Sequence, residues 1–156
     1  MNVEVVQTAN HKAYTNMKSR GLRNNNPGNI RLSGTTYQGE VASTDKAFKQ
    51  FKSMAYGYRA MFVLLYTYQK RYHCDTIVAM ISRYAPAIEN HTEAYINAVS
   101  DWSGVPPTSH ITTTNGDIMM PIVAAMSRVE NGCEAVMEDV VKGWQLFISD
   151  YRKGYL

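Results

Sequence analysis

The chain has 156 residues, with 16 Lys and Arg against 13 Asp and Glu, for a formal net charge of +3. That length suits one domain with a core of its own, and the apolar and charged fractions of 45% and 19% are those of a globular protein. The mild positive charge is compatible with an acidic polymer such as peptidoglycan or nucleic acid and demands neither.

No apolar run approaches the ~20 residues that cross a bilayer, so no membrane insertion is expected. The opening Met1-Asn2-Val3-Glu4-Val5-Val6 has no basic region followed by a long apolar core, so the expectation is synthesis in the cytoplasm without a signal peptide. Cys74 and Cys133 read as two reduced thiols, with one disulfide as the alternative. His11, His73, His91 and His110 show no ligand spacing, so no metal and no cofactor is assigned.

Residues 1–19 show weak periodicity and read as an N-terminal arm, with 20–156 as a single domain. Asn26-Pro27-Gly28-Asn29 is a strong turn signal. Alternation in Ile30-Arg31-Leu32 and in Ala47-Phe48-Lys49-Gln50-Phe51 predicts a small antiparallel sheet of two or three short strands over 29–51. Helices follow. The stretch from Tyr58 to Tyr72 is apolar around most of its circumference, which predicts a central buried helix. Asp75 can cap a short helix through Ile77 and Ile81 to Tyr84, stopped by Pro86. Asn90 and Glu93 fit a capping box for a helix that runs to Trp102 and ends at Gly104. A further helix begins near Asp117 or Pro121 and ends at Gly132, and a last one covers about 134–151. The faces of 58–72 and 136–148 are expected to bury together, with 29–51 at one edge. The fold class is thus α+β, mainly α-helical.

Met119, Val123, Met126 and Glu130 fall at i, i+4, i+7 and i+11, one face of a helix. A carboxylate that ends an apolar stripe is desolvated, and the negative end of the helix dipole also raises its pKa. A glutamate kept protonated near neutral pH is what protonation of a glycosidic oxygen requires. The alternative is a glutamate fraying into solvent before a glycine cap. Arg23, Asn25, Asn26 and Asn29 offer groups that suit the hydroxyls, N-acetyl groups and carboxylates of amino-sugar polymers, or else a turn whose asparagines cap local backbone. Asp45 is either a second acid from the hairpin or a turn former, and Glu40 reads as a residue of a solvated strand. Glu89 is a cleft carboxylate or a charge favouring a helix N-terminus. Tyr37 and Tyr84, both beside loops, are the candidates for stacking on sugar. The basic residues form no stripe interleaved with aromatics, so no nucleic-acid partner is expected.

The run Arg20-Gly21-Leu22-Arg23-Asn24-Asn25-Asn26-Pro27-Gly28-Asn29-Ile30-Arg31 resembles the opening motif of phage and prophage virion-associated lysozyme-like proteins. The resemblance continues through Tyr37-Gln38-Gly39, where the family usually begins with tryptophan, and through Asp45, Phe48, Phe51 and Gly57-Tyr58-Arg59-Ala60. It takes in Arg83-Tyr84-Ala85-Pro86, Glu89-Asn90 and Tyr95-Ile96, and ends at Glu130-Asn131-Gly132, covering roughly residues 20–132. It implies a lysozyme-like fold and degradation of peptidoglycan glycan strands, as a muramidase or lytic transglycosylase; without a signal peptide, wall access through lysis, a holin or virion delivery is expected, and the protein is expected to be a monomer. Asn131, beside the acid, joins the substrate-binding set. In most lysozyme-like glycosidases the helix with the catalytic glutamate precedes the asparagine-rich loop; here Glu130 follows it, which implies a circularly permuted arrangement. After Gly132 the chain departs from the family, with Cys133-Glu134-Ala135-Val136 in place of a polar, proline-containing stretch. A non-catalytic wall-binding or virion structural protein is the rival expectation.

Overall fold

Apolar side chains cover nearly every face of the helix Met54–Tyr72, and the rest of the chain is arranged to bury it. The computed structural model describes residues 18–86 and 91–156. In order these are α1 (Arg20–Arg23), β1 (Glu40–Val41), β2 (Gln50–Phe51), α2 (Met54–Tyr72), α3 (Ile77–Tyr84), α4 (Thr92–Ser103), α5 (Gly116–Asn131) and α6 (Met137–Arg152). The protein is α+β and mainly helical, with one small antiparallel sheet among the described residues. Of the arm expected over 1–19, only Lys18 and Ser19 are described; the Lys18 carbonyl accepts from Arg23, and Ser19 caps α1.

The first four motif residues are a helical turn, not loop: the Ser19 Oγ accepts from Leu22 N at 3.3 Å. The sheet pairs Glu40 with Phe51 and Val41 with Gln50, and an isolated bridge from Arg31 to Phe48 stands where a third strand was expected. Lys49 overturns the simple alternation. Its side chain is fully buried, with Nζ donating to the carbonyls of Thr35 (2.7 Å) and Ser33 (3.5 Å) and to the Glu40 carboxylate at 3.1 Å. Glu40 is therefore no solvated strand residue; it also accepts from Tyr37 N at 3.1 Å. A buried ammonium needs such partners, and these staple the 33–40 loop over the sheet.

α2 and α6 pack along their length, as the two stripes predict. Phe62 meets Trp144 edge-on at 5.1 Å and stacks on Phe147 at 6.0 Å. The helices approach closely at Gly143, where an added Cβ would lie 2.6 Å from Tyr58 Cβ. α4 and α5 pack together on the other side; α5 touches α2 and α6 directly, and α3 packs between α2 and α4. Several helix starts differ from the sequence expectation. Thr76, not Asp75, caps α3 by accepting from Ala79 N at 3.1 Å, while Asp75 faces His110 at 2.9 Å. His91 occupies the N-cap of α4 without a side-chain bond, and Asn90 lies outside the described residues. α2 starts at Met54, capped by Ser53, and α6 at Met137. Asn115 caps α5, which puts Pro121 beyond the first turn. The N–H that proline lacks would pair with the carbonyl of Asp117, an exposed residue that water can serve. Cys74 is buried and Cys133 exposed, both free. Among the described residues no helix is long and apolar enough to cross a membrane.

Candidate active site

The stripe on α5 is real: Met119, Val123 and Met126 are fully buried, and the half-buried Glu130 stands at its end, two residues before the left-handed cap Gly132. There the helix meets the asparagine-rich loop. Asn29 Nδ2 donates to Glu130 Oε1 at 2.9 Å across 101 residues of sequence. The Tyr95 hydroxyl from α4 lies near the carboxylate and donates to the Met126 carbonyl at 3.5 Å. Burial lifts the Glu130 carboxyl above its ordinary range; the bond from Asn29, the nearby Tyr95 hydroxyl and the charge of Arg31 offset part of that rise.

Glu130 opens into a cleft of about 390 Å³ whose walls include Asn29, Arg31, Tyr37, Phe48, Leu64, Tyr68 and Tyr84. Of the expected site residues, then, Glu130, Asn29, Tyr37 and Tyr84 come together. Tyr37 and Tyr84 carry buried hydroxyls, with burial pushing the Tyr37 phenol up to about 12 and Tyr84 well above the usual value. The Tyr84 hydroxyl donates to the Gly28 carbonyl, so it orients the loop as well as lining the cleft.

The other amides serve the fold. Asn26 is fully buried: Nδ2 donates to the carbonyls of Ile30 and Lys49, each at 2.9 Å, and Oδ1 accepts from Ile30 N at 2.9 Å. No group on it is left for a sugar, which corrects its assignment as a ligand. Asn25, at φ 51°, gives its amide to the Phe51 carbonyl at 3.1 Å. Asn131 ties α5 to the loop and to α1: Nδ2 donates to the carbonyls of Pro27 and Ser127, both at 2.8 Å, and Oδ1 accepts from Ser19 Oγ at 2.6 Å. Arg23 reaches back to the Lys18 carbonyl. None of these four lines the cleft.

Asp45 is corrected in the same way. Its oxygens accept from Arg20 Nε (2.6 Å) and Nη2 (2.7 Å), from Asn24 Nδ2 (3.2 Å), and from the N–H groups of Ala47 (2.8 Å) and Phe48 (3.1 Å). A carboxylate so occupied has no lone pair to direct at water, and the Arg20 guanidinium, followed by the Ala47 N–H, holds it well below the carboxylate range. The stability this carboxylate supplies is complete above the unfolded value of ~3.9 and lost as pH falls through its lower folded value. Asp45→Asn should therefore melt earlier than the wild type at pH 7, with the gap closing toward pH 2 in parallel thermal melts. A gap that stays constant across that range would show that the charge of Asp45 is not what matters.

Glu89 lies outside the described residues, and Glu130 is the one acid among the described residues that line the cleft. Tyr95 is the residue that sequence reasoning missed. It sits at a buried position of α4 and reads there as core; only the tertiary crossing of α4 on α5 brings its hydroxyl to Glu130.

No family model matches the chain. It is 37% identical over 131 residues to Protein P5 of Pseudoalteromonas phage PM2, an alignment that covers 81% of this chain and 80% of that protein. At that identity and coverage, the chain belongs to the family of this bacteriophage Protein P5.

Proposed function

We propose that the protein cleaves the bond between N-acetylmuramic acid and N-acetylglucosamine in peptidoglycan, on a lysozyme-like, circularly permuted fold. The observation that carries this reading is Glu130: a half-buried carboxyl with a raised pKa, oriented by Asn29, at the head of a cleft with aromatic walls. Protonated Glu130 gives its proton to the glycosidic oxygen as the bond to the muramyl C1 breaks. The resulting carboxylate then takes the proton of the muramyl 6-hydroxyl as that oxygen closes on C1. This cycle restores the acid and needs no second carboxylate. The commitment of Asp45 to Arg20 thus favours lytic transglycosylation over hydrolysis, which calls for a carboxylate that places water. Kinship with a phage protein suits access to the wall by lysis, holin release or virion delivery.

Mass analysis of products from purified sacculi tests the chemistry. Anhydro-muramyl ends are expected. Reducing ends would assign hydrolysis. No soluble product, together with retention on insoluble wall, would support the rival non-catalytic module, which the presence of only one cleft acid among the described residues also allows.

A further inference from the structure

Beyond Tyr37 and Tyr68 the Glu130 cleft continues into a larger cavity of about 840 Å³ between α2, the 35–38 segment and the chain end. The two spaces share Thr35, Tyr37, Leu64 and Tyr68 as walls and so form one groove. Their charge differs. Arg59, Arg71 and Arg83 line the second space, and no Asp or Glu side chain among the described residues does. Arg59 is 6% exposed and pairs with Asp150 at 2.9 Å, while its Nε is buried without a hydrogen-bond partner. Arg71 and Arg83 are exposed and, among the described residues, form no ion pair; Arg20, by contrast, gives its Nε and Nη2 to Asp45. The Arg83 guanidinium lies 3.3 Å from the ring centroid of Tyr72 and 5.4 Å from that of Tyr68. Stacking fixes the plane of the guanidinium and leaves its N–H edge available for a planar anion.

We propose that this arm of the groove is a carboxylate-binding subsite for the peptide stem borne by muramic acid, with Arg71 and Arg83 as its ligands. The assignment rests on the peptidoglycan reading above. A muramyl residue held beside Glu130 would direct its lactyl substituent along the shared wall. The far space offers apolar surface from Val63 and Leu64 for the small side chains of a short peptide, and guanidinium forks for its carboxylates.

The test measures binding of the full chain to a disaccharide–tetrapeptide muropeptide, to neutral chitotetraose and to a single-stranded oligonucleotide. Arg71→Gln/Arg83→Gln should raise the Kd for the muropeptide roughly tenfold or more, as expected for loss of charge-assisted bonds, and leave chitotetraose binding unchanged. Arg83→Lys keeps the charge without the fork and should fall between. Both positions are exposed, and an unchanged thermal melt confirms that the variants fold. Equal muropeptide affinity in wild type and double variant would overturn the subsite, as would equal loss for muropeptide and chitotetraose, or tight oligonucleotide binding that depends on the same arginines. Chitotetraose binding with no muropeptide preference would sink the subsite and leave the glycan reading standing. Arginine-dependent muropeptide binding without any wall cleavage would do the reverse.

Discussion

Glu130→Gln is expected to abolish wall lysis while the protein stays folded. The amide keeps the shape of the carboxyl, and its oxygen can still accept from Asn29. What disappears is the transferable proton, and loss of general-acid catalysis costs about 10²–10⁴ in rate. Turbidity clearing of purified walls reads the rate, and a thermal melt reads the fold. The pH dependence has a definite sign. Burial raises the carboxyl, and the protonated form is the active one, so the wild-type rate should fall as pH rises through the Glu130 pKa. The stability linked to that proton runs the same way: it is present below the unfolded carboxylate pKa and lost as pH rises through the folded one. The variant should show neither trend. Wild-type lysis by Glu130→Gln would remove this residue from the chemistry.

Gly57→Ala should destabilise the fold and the site together. Intrinsic propensity alone argues the opposite, since alanine inside a helix is favoured over glycine by about 1 kcal/mol. Packing decides the sign. A Cβ at position 57 would fall inside 3.0 Å of the Asn25 carbonyl oxygen and 2.5 Å from Pro27 Cδ. Both atoms belong to backbone or a rigid ring, so no flexible side chain can give way. Overpacking of this kind costs about 1–3 kcal/mol or more, and here the motif loop itself must lift off α2. A net loss of roughly 2 kcal/mol should lower the melting temperature by about 4–8 °C for a domain of this size. Because the same loop carries Asn29 to Glu130, lysis should fall as well. A variant as stable as the wild type would show that the loop does not rest on α2 as described.

How much of this was legible in the sequence depends on where the physical signal lies. The stripe Met119, Val123, Met126, Glu130 and the mutual burial of α2 and α6 follow from helical periodicity, because burial of a helix face is written into spacing. Lys49 was not legible: its position in an alternating strand says which face it shares with Phe51, but the carbonyls of Ser33 and Thr35 that make its burial tolerable come from a loop without regular structure. The asparagines show the same limit. Three in succession announce a hydrogen-bonding loop, yet whether each amide faces backbone or ligand is settled by register. Asn26 is spent on Ile30 and Lys49, and Asn29, three residues on, reaches Glu130. Asp45 read as a second acid or a turn former; it forms the turn through Ala47 and Phe48, while its pairing with Arg20, 25 residues away, leaves no local signal. Glu89 falls in the segment 87–90 that the structure does not describe.

The contact between Asn29 and Glu130 also governs when the cleft comes into being. It closes a span of 101 residues, and Ser19 to Asn131 closes one of 112. Contacts so distant along the chain are slow to form, because loop-closure entropy must be overcome before they contribute. A nascent chain that has emerged as far as α4 already holds the motif loop but no acid. Adding α5 supplies Glu130 yet leaves the apolar flank of α2 without α6 to cover it. Competence therefore arrives in one step once α6 has joined α5 and α2, and a chain cut between α4 and α5 carries only half of the cleft.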